Sequence, residues 1–389
     1  MARPLLPLLG RVSEFASRYA LGSKQKVITF CDPGIDDALM LAQTFSSRRL
    51  EVLGVVPSAG NVSLDRTVKN TLRICELTGR RDVRVYPGSA APIGQKTEEM
   101  LDGKQVYGED GLGGVHFPEV TMAAEKKSGS DFAAEAVLAA SARDPITLIS
   151  TGGLTDVYKT LQKVFERNPA ALKNIAAISV MGGVFDCAKH ANAPLDRAPA
   201  ERTAEFNMIF DPIATAGVFD LTAKSGIPVF LSPLDLTHTT LFRTDEVEAL
   251  RDVGNPVAST MAELMAQVPD WYKARFGLYK EKGMQPAHDV NASACLLHPE
   301  LYTTSDPIAV RSVVEGVDRG KLLTEGARGN VSVLSMPAER IAGFFESFAE
   351  DMRSFSLERG TGGGVPSGAV DAESVRALEG RVKREGEKR

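Results

Sequence analysis

Cysteine is scarce and scattered: Cys31, Cys75, Cys187 and Cys295 are the only four, and they form no CxxC pair or Cys/His cluster. That excludes a disulfide framework and a zinc centre as organising features, and reduced thiols in a cytosol are the expectation. A basic field is missing too. The 45 Lys and Arg face 50 Asp and Glu, for a formal net charge of −5, so a nucleic-acid polymer is a poor partner and a small, weakly charged ligand a better one. No stretch approaches the roughly 20 apolar residues that cross a bilayer. The Leu/Pro-rich start lacks the apolar run and small-residue cleavage site of a secretory signal. Residues 1–24 do carry Arg3, Arg11 and Arg18 against the single acid Glu14, loosely like an organelle transit peptide. A short surface helix leading into the first strand is the simpler expectation. Internal repeats are absent, and low complexity is confined to one glycine-rich run near the end.

What is present is an ordinary globular balance, 43% hydrophobic and 24% charged over 389 residues. β-branched apolar runs alternate with longer segments of helical period, which predicts a parallel sheet covered by helices. Strands are expected at 26–30, 51–56, 83–86, 146–151, 175–181 and 228–231, with later ones near 308–314 and 331–334. Helices are expected at 36–46, 64–78, 131–142, 155–165, 212–223, 245–253, 256–272, from about Asp289, and at 338–354. The class is therefore α/β, a mainly parallel open sheet flanked by helices around a Rossmann-like core. Three segments follow: an extension at 1–24, a catalytic domain at 25–357, and a flexible glycine-rich stretch with a charged tail at 358–389.

The densest chemistry lies in Val27-Ile28-Thr29-Phe30-Cys31-Asp32-Pro33-Gly34-Ile35-Asp36-Asp37-Ala38, where a strand runs into a helix with three carboxylates at the junction. The carboxyl end of a parallel strand faces the ligand crevice, so Asp32 stands at the mouth of a site. Asp36 and Asp37 fall in the first helical turn, where the macrodipole favours anions. Taken singly, each is an ordinary cap or turn former. Together they repel one another, and the motif holds no Lys or Arg to offset them. A hard cation bound by oxygens does so, and calcium, which accepts six to eight oxygen ligands in irregular cages, suits the turn better than magnesium.

The chain resembles the inosine-uridine-preferring nucleoside hydrolase family, whose signature reads DxDPGxDDA. The resemblance runs from about Val27 to about Phe355 through GVVPSAGN (54–61), YGEDGLG (107–113), STGGLT (150–155), VMGG (180–183), AEFNMIFDP (204–212), PLDLTH (233–238) and His288-Asp289. It implies one calcium ion held by Asp32, Asp37, the Thr151 carbonyl and Asp289. Asp36, Asn61, Glu205 and Asn207 are implied to hydrogen-bond the ribose hydroxyls. Asn192 is the nearest option for the 5′-hydroxyl, because the segment between Gly183 and Glu205 is longer than the family spacing. If 205–207 is extended, Glu205 and Asn207 share one face.

The activity so implied is hydrolysis of the N-glycosidic bond of ribonucleosides, in a salvage role, by a homodimer or homotetramer. Bond cleavage builds positive charge on the sugar, which carboxylates stabilise. Asp32 is assigned as general base toward a water activated by the ion, and the ion also clamps the ribose. His288, adjacent to Asp289, is the candidate donor to the departing base, a task suited to a group that titrates near neutrality. Phe276, Tyr279 and Trp271 precede it and are candidates for stacking on the nucleobase.

Two positions depart from the family pattern. Phe30 replaces the first signature aspartate, and Tyr107 stands where several members have a histidine near the leaving group. Both are compatible with an alternative, a nucleoside-binding relative that kept the pocket and lost turnover. A haloacid-dehalogenase-type phosphatase is a weak rival, because Phe30 and Gly34 occupy the positions two before and two after Asp32 where that chemistry needs a second aspartate.

Overall fold

The computed structural model describes residues 24–95, 104–194, 196–267 and 285–357. The chain divides into two units, Met1–Ser356 and Leu357–Arg389. The proposed extension up to residue 23, the tail beyond Leu357, and Trp271, Phe276 and Tyr279 lie outside the described residues.

The strands in chain order are β1 (Gln25–Cys31), β2 (Leu50–Pro57), β3 (Ile146–Ser150), β4 (Ile175–Met181), β5 (Val229–Ser232), β6 (Leu241–Phe242), β7 (Gln285–Pro286), β8 (Thr303–Thr304), β9 (Ile308–Ser312), β10 (Leu322–Arg328) and β11 (Val331–Ser335). The main sheet runs β10-β9-β11-β5-β4-β3-β1-β2, with β8 pairing β11 off this path. From β2 through β5 to β11 every pairing is parallel, while β9 pairs antiparallel with β10 and β11. The expected mainly parallel sheet is thus observed, with an antiparallel edge. Residues 83–86 contribute only an isolated bridge, Val55 to Val85, and not a strand. The segment is short and comes directly out of a turn at 81–82, so Val83 and Val85 are buried without extending the ladder. β10 was not anticipated, because Thr324, Glu325 and Gly326 break any alternating pattern.

The helices that carry the packing include α1 (Ile35–Ser46), α2 (Leu64–Leu77), α3 (Gly129–Ala139), α4 (Thr155–Arg167), α5 (Pro212–Ser225), α6 (Val290–Leu297) and α7 (Ile341–Leu357), with Thr244–Asp252 and Pro256–Ala266 adding to the core. Each face of the sheet has its own apolar layer. Residues of α1, α2, α6 and α7 share one cluster with Val27, Cys31 and Ile149, and those of α3, α4 and α5 share the other with Ile28, Phe30 and Leu148. The period-2 alternation along β1 produces this division. Each fully buried aliphatic side chain contributes about 1.5–3 kcal/mol, which offsets the cost of burying acids at the sheet's end. Phe30 packs into the second layer at 2% exposure, so the departure from the family signature places an apolar ring in the core. No helix among the described residues is long and apolar enough to cross a membrane.

β1 lies between β2 and β3, so the chain leaves β1 for one neighbour and later returns on its other side. Loops after β1 and β3 diverge at such a point and open a crevice. Asp32 and Thr151 are the first residues beyond those two strands.

Candidate functional site

The turn after β1 is held by its own carboxylates. Asp37 folds back to accept the amides of Gly34 at 3.0 Å and Asp32 at 3.3 Å, and it accepts the Thr151 hydroxyl at 2.8 Å. Asn61 crosses from the loop after β2. Its amide donates to Asp32 Oδ2 at 2.8 Å, and its side chain donates to the Asp32 carbonyl and to Asp37 Oδ2. Asn70 on α2 fastens the outside of the turn, donating to the Pro33 and Asp110 carbonyls at 3.0 and 2.8 Å. Sequence reading passed over Asn70. Its signal was a polar residue on the apolar side of an amphipathic helix, where it is 1% exposed.

Asp289 arrives from the far end of the chain at the N-cap of α6, which packs against α1. Its carboxylate, with those of Asp36 and Asp37, forms a buried cluster in which one oxygen of each lies within 4.8 Å of the other two. Asp32 adjoins this trio, is 1% exposed, and leaves Oδ1 buried with no hydrogen-bond partner among the described residues. Asp36 Oδ1 is in the same condition. Burial foremost, then the Asp37 charge, pushes Asp36 up to about 7. Burial followed by neighbouring carboxylates raises Asp32 and Asp289 well above the usual range, and burial raises Asp37. Four buried carboxylates, two with vacant oxygens, form an all-oxygen donor set that fits a hard divalent cation. Gly152 keeps it open: a Cβ there would stand 2.5 Å from Asp32 Oδ1.

Of the ligands implied by resemblance, Asp37 and Asp289 fall in the tight trio, Asp32 beside it, and Asp36 inside it as well. The Thr151 carbonyl accepts Asn207 Nδ2 at 2.7 Å, and a carbonyl's second lone pair stays available for another partner.

Glu205 and Asn207 do not lie on an extended segment. Glu205 caps the short helix Phe206–Phe210, whose start it stabilises by accepting the amides of Asn207 and Met208 at 2.8 and 3.1 Å. It also accepts the Gly183 amide at 3.0 Å, where φ is +81° after β4. Three of roughly four acceptor directions on the carboxylate are thereby filled. Burial pushes Glu205 up to about 7 against the opposing pull of these amides. Asn192 lies beside it through its amide to the Ala204 carbonyl at 3.2 Å, and its Oδ1 is buried with no partner among the described residues. Tyr107 ends the helix Lys104–Tyr107 and hydrogen-bonds through its side chain to Asp36.

His288 is 5% exposed and its Nδ1 lies 2.7 Å from the Thr237 hydroxyl, while Nε2 is buried with no partner among the described residues. Burial pushes the imidazole down to about 4. His238 stands 5.5 Å away between ring centroids, and its Nδ1 meets His190 Nδ1 at 2.9 Å.

The family model described as inosine-uridine preferring nucleoside hydrolase matches residues 27–341. A pyrimidine-specific ribonucleoside hydrolase of Enterobacter sp. (strain 638) is 34% identical over 281 residues, 72% of this chain and 81% of that protein. Among solved structures, a purine-preferring ribonucleoside hydrolase from Gardnerella vaginalis superposes with a TM-score of 0.73 at 26% identity, covering 85% of this chain and 99% of its own. A plant nucleoside hydrolase shares the fold with a TM-score of 0.70 at 22% identity, over 84% and 98% of the two chains.

Proposed function

The chain belongs to the inosine-uridine-preferring nucleoside hydrolase family and is an N-glycosyl hydrolase, and on that premise we propose that residues 25–357 hydrolyse ribonucleosides to free base and ribose with a calcium ion. The observation that carries this reading is the buried acid cluster with two unpartnered oxygens at the carboxyl end of β1. Asp32, Asp37, Asp289 and the Thr151 carbonyl would hold the ion. When bound, such an ion lowers the pKa of water and grips ribose hydroxyls.

Asp32 Oδ1 takes a proton from the attacking water, whose oxygen bonds to C1′. The C1′–N bond breaks and its electron pair moves onto the base. His288 donates a hydrogen bond from Nε2 to the departing base, which is completed by a proton from solvent. Glu205, Asn207, Asn61 and Asp36 orient the ribose hydroxyls, and Asn192 Oδ1 meets the 5′-hydroxyl. Phe276 and Tyr279 stack on the base. These carboxylates also stabilise the positive sugar ring of the transition state. The burial of Phe30 in the core, away from the acids, favours this reading over a binder without turnover.

A salvage role in the cytosol, as a homodimer or homotetramer, completes the proposal. The test is calcium content together with reducing-sugar release from a panel of purine and pyrimidine ribonucleosides, since the two similar hydrolases named above differ in base. Stoichiometric calcium with hydrolysis of at least one nucleoside supports the reading. Metal-loaded, folded protein that releases no ribose from any of them overturns it.

A further inference from the structure

We propose that Thr237 is a positioning residue that fixes the tautomer of His288 and so makes Nε2 the hydrogen-bearing nitrogen offered to the departing base. The inference rests on the role given to His288 above. Thr237 is the last residue of the short helix Leu234–Thr237, just past the carboxyl end of β5, and its side chain is fully buried. Its hydroxyl lies 2.7 Å from His288 Nδ1. A neutral imidazole carries one hydrogen, on Nδ1 or on Nε2, and the bond at one nitrogen decides which.

The hydroxyl has one proton, and His288 Nδ1 is its one hydrogen-bond partner among the described residues. Were the hydrogen on Nδ1, Thr237 would accept and its own proton would be buried without an acceptor. With Thr237 donating, both groups are satisfied, and the hydrogen resides on Nε2. That nitrogen is the one left buried and unpartnered. A donor to a leaving group must carry a hydrogen at the atom that faces it, so the tautomer chosen here is the one the reaction requires.

The rest of the neighbourhood keeps the pair in register. Asn291 on α6 donates to the Thr240 hydroxyl at 3.0 Å and to the His288 carbonyl at 3.3 Å, and Thr240 donates to the Thr237 carbonyl at 3.3 Å. Tyr302 in turn donates to Asn291 Oδ1 at 3.1 Å. The segment after β5 and the start of α6 are thereby tied together, so Thr237 and His288 do not drift apart.

The experiment compares Thr237→Val, which keeps the shape and removes the donor, with Thr237→Ser, which keeps the hydroxyl, in the calcium-loaded full chain. Two readouts are used: the 15N shifts of His288, and hydrolysis of a nucleoside against a nitrophenyl riboside, whose leaving group departs unaided. Expected for Thr237→Val is an Nε2–H population replaced by a tautomer mixture. Its kcat on the nucleoside falls by roughly 10- to 100-fold, a part of the roughly 10²–10⁴-fold that a positioned donor contributes. KM and nitrophenyl riboside hydrolysis stay unchanged, and Thr237→Ser restores both signals.

If His288→Asn lowers nucleoside turnover selectively but Thr237→Val does not, or if the 15N tautomer is unaltered, the inference about Thr237 is overturned while the role of His288 stands. If His288→Asn itself spares the nucleoside, both fall together.

Discussion

The amide of Asn61 donates to Asp32 Oδ2 at 2.8 Å and leaves Oδ1 of the same carboxylate buried without a partner among the described residues. One oxygen is thus fixed by the protein and the other is presented to whatever enters the site. A carboxylate so divided is oriented before substrate arrives, which is what proton abstraction from a positioned water demands.

Replacing that group tests the assignment directly. Asp32→Asn removes the base and one like charge while keeping the volume. We expect kcat to fall by about 10²–10⁴-fold or more, with far-ultraviolet circular dichroism unchanged. The metal-free variant should melt at a higher temperature than metal-free wild type, because one member of a mutually repelling set is neutralised. Full activity in Asp32→Asn rules out the mechanism.

Gly152→Ala probes the same oxygen from the opposite side. The added methyl would stand 2.5 Å from Asp32 Oδ1 and 2.9 Å from Asp32 Cγ, too close for either to remain in place. Asp32 is packed and hydrogen-bonded, so the cost falls on the site rather than on a flexible surface group. Calcium affinity by calorimetry should drop together with kcat. Wild-type affinity with wild-type kcat would mean that Oδ1 faces neither ion nor water.

The metal-free protein should lose stability with rising pH. Burial, helped for Asp36 by the Asp37 charge, lifts Asp36 from 3.8 and Glu205 from 4.5 to about 7 in the folded protein. The folded state therefore binds these protons more tightly than the unfolded chain does. Their contribution is complete below the unfolded values and is lost as pH rises through about 7. Melting temperature in chelator should fall between about pH 4 and pH 7, and saturating calcium should flatten that slope by making the ionised acids the favoured form. A metal-free melting temperature that climbs across this window contradicts the account.

Asp211 makes a purely structural prediction. It is 1% exposed, caps α5 through the Ala214 amide at 2.9 Å, and accepts the Ile93 amide at 2.9 Å and the Thr155 hydroxyl at 2.7 Å. Asp211→Ala strands three donors and removes a cap, for a cost of about 2–4 kcal/mol in chemical denaturation. Asp211→Asn, which retains one acceptor oxygen, should cost less.

The acidic junction could be read without coordinates because strand, turn and helix start are encoded within a dozen neighbouring residues. β1 to β5, and the helices between them, follow from period and turn chemistry in the same way. Whether 205–207 is extended was left open by the sequence; the segment opens a short helix capped by Glu205, which also accepts the amide of Gly183, 22 residues upstream. Residues 83–86 have strand-forming residues and run beside β2, but they meet it through a single bridge at Val55 rather than a ladder.

Local backbone preference and side-chain period, both properties of adjacent residues, settled by sequence alone that this is an α/β protein with acids at the end of its first strand. Tertiary structure decided which groups meet them. Thr151 reaches Asp37 across 114 residues and Thr237 reaches His288 across 51, and such pairs are made only when crossover connections fold the chain's distant strand ends and α6 into one crevice. Burial, which pushes the acids up and His288 down, likewise exists only once that crevice has closed around them.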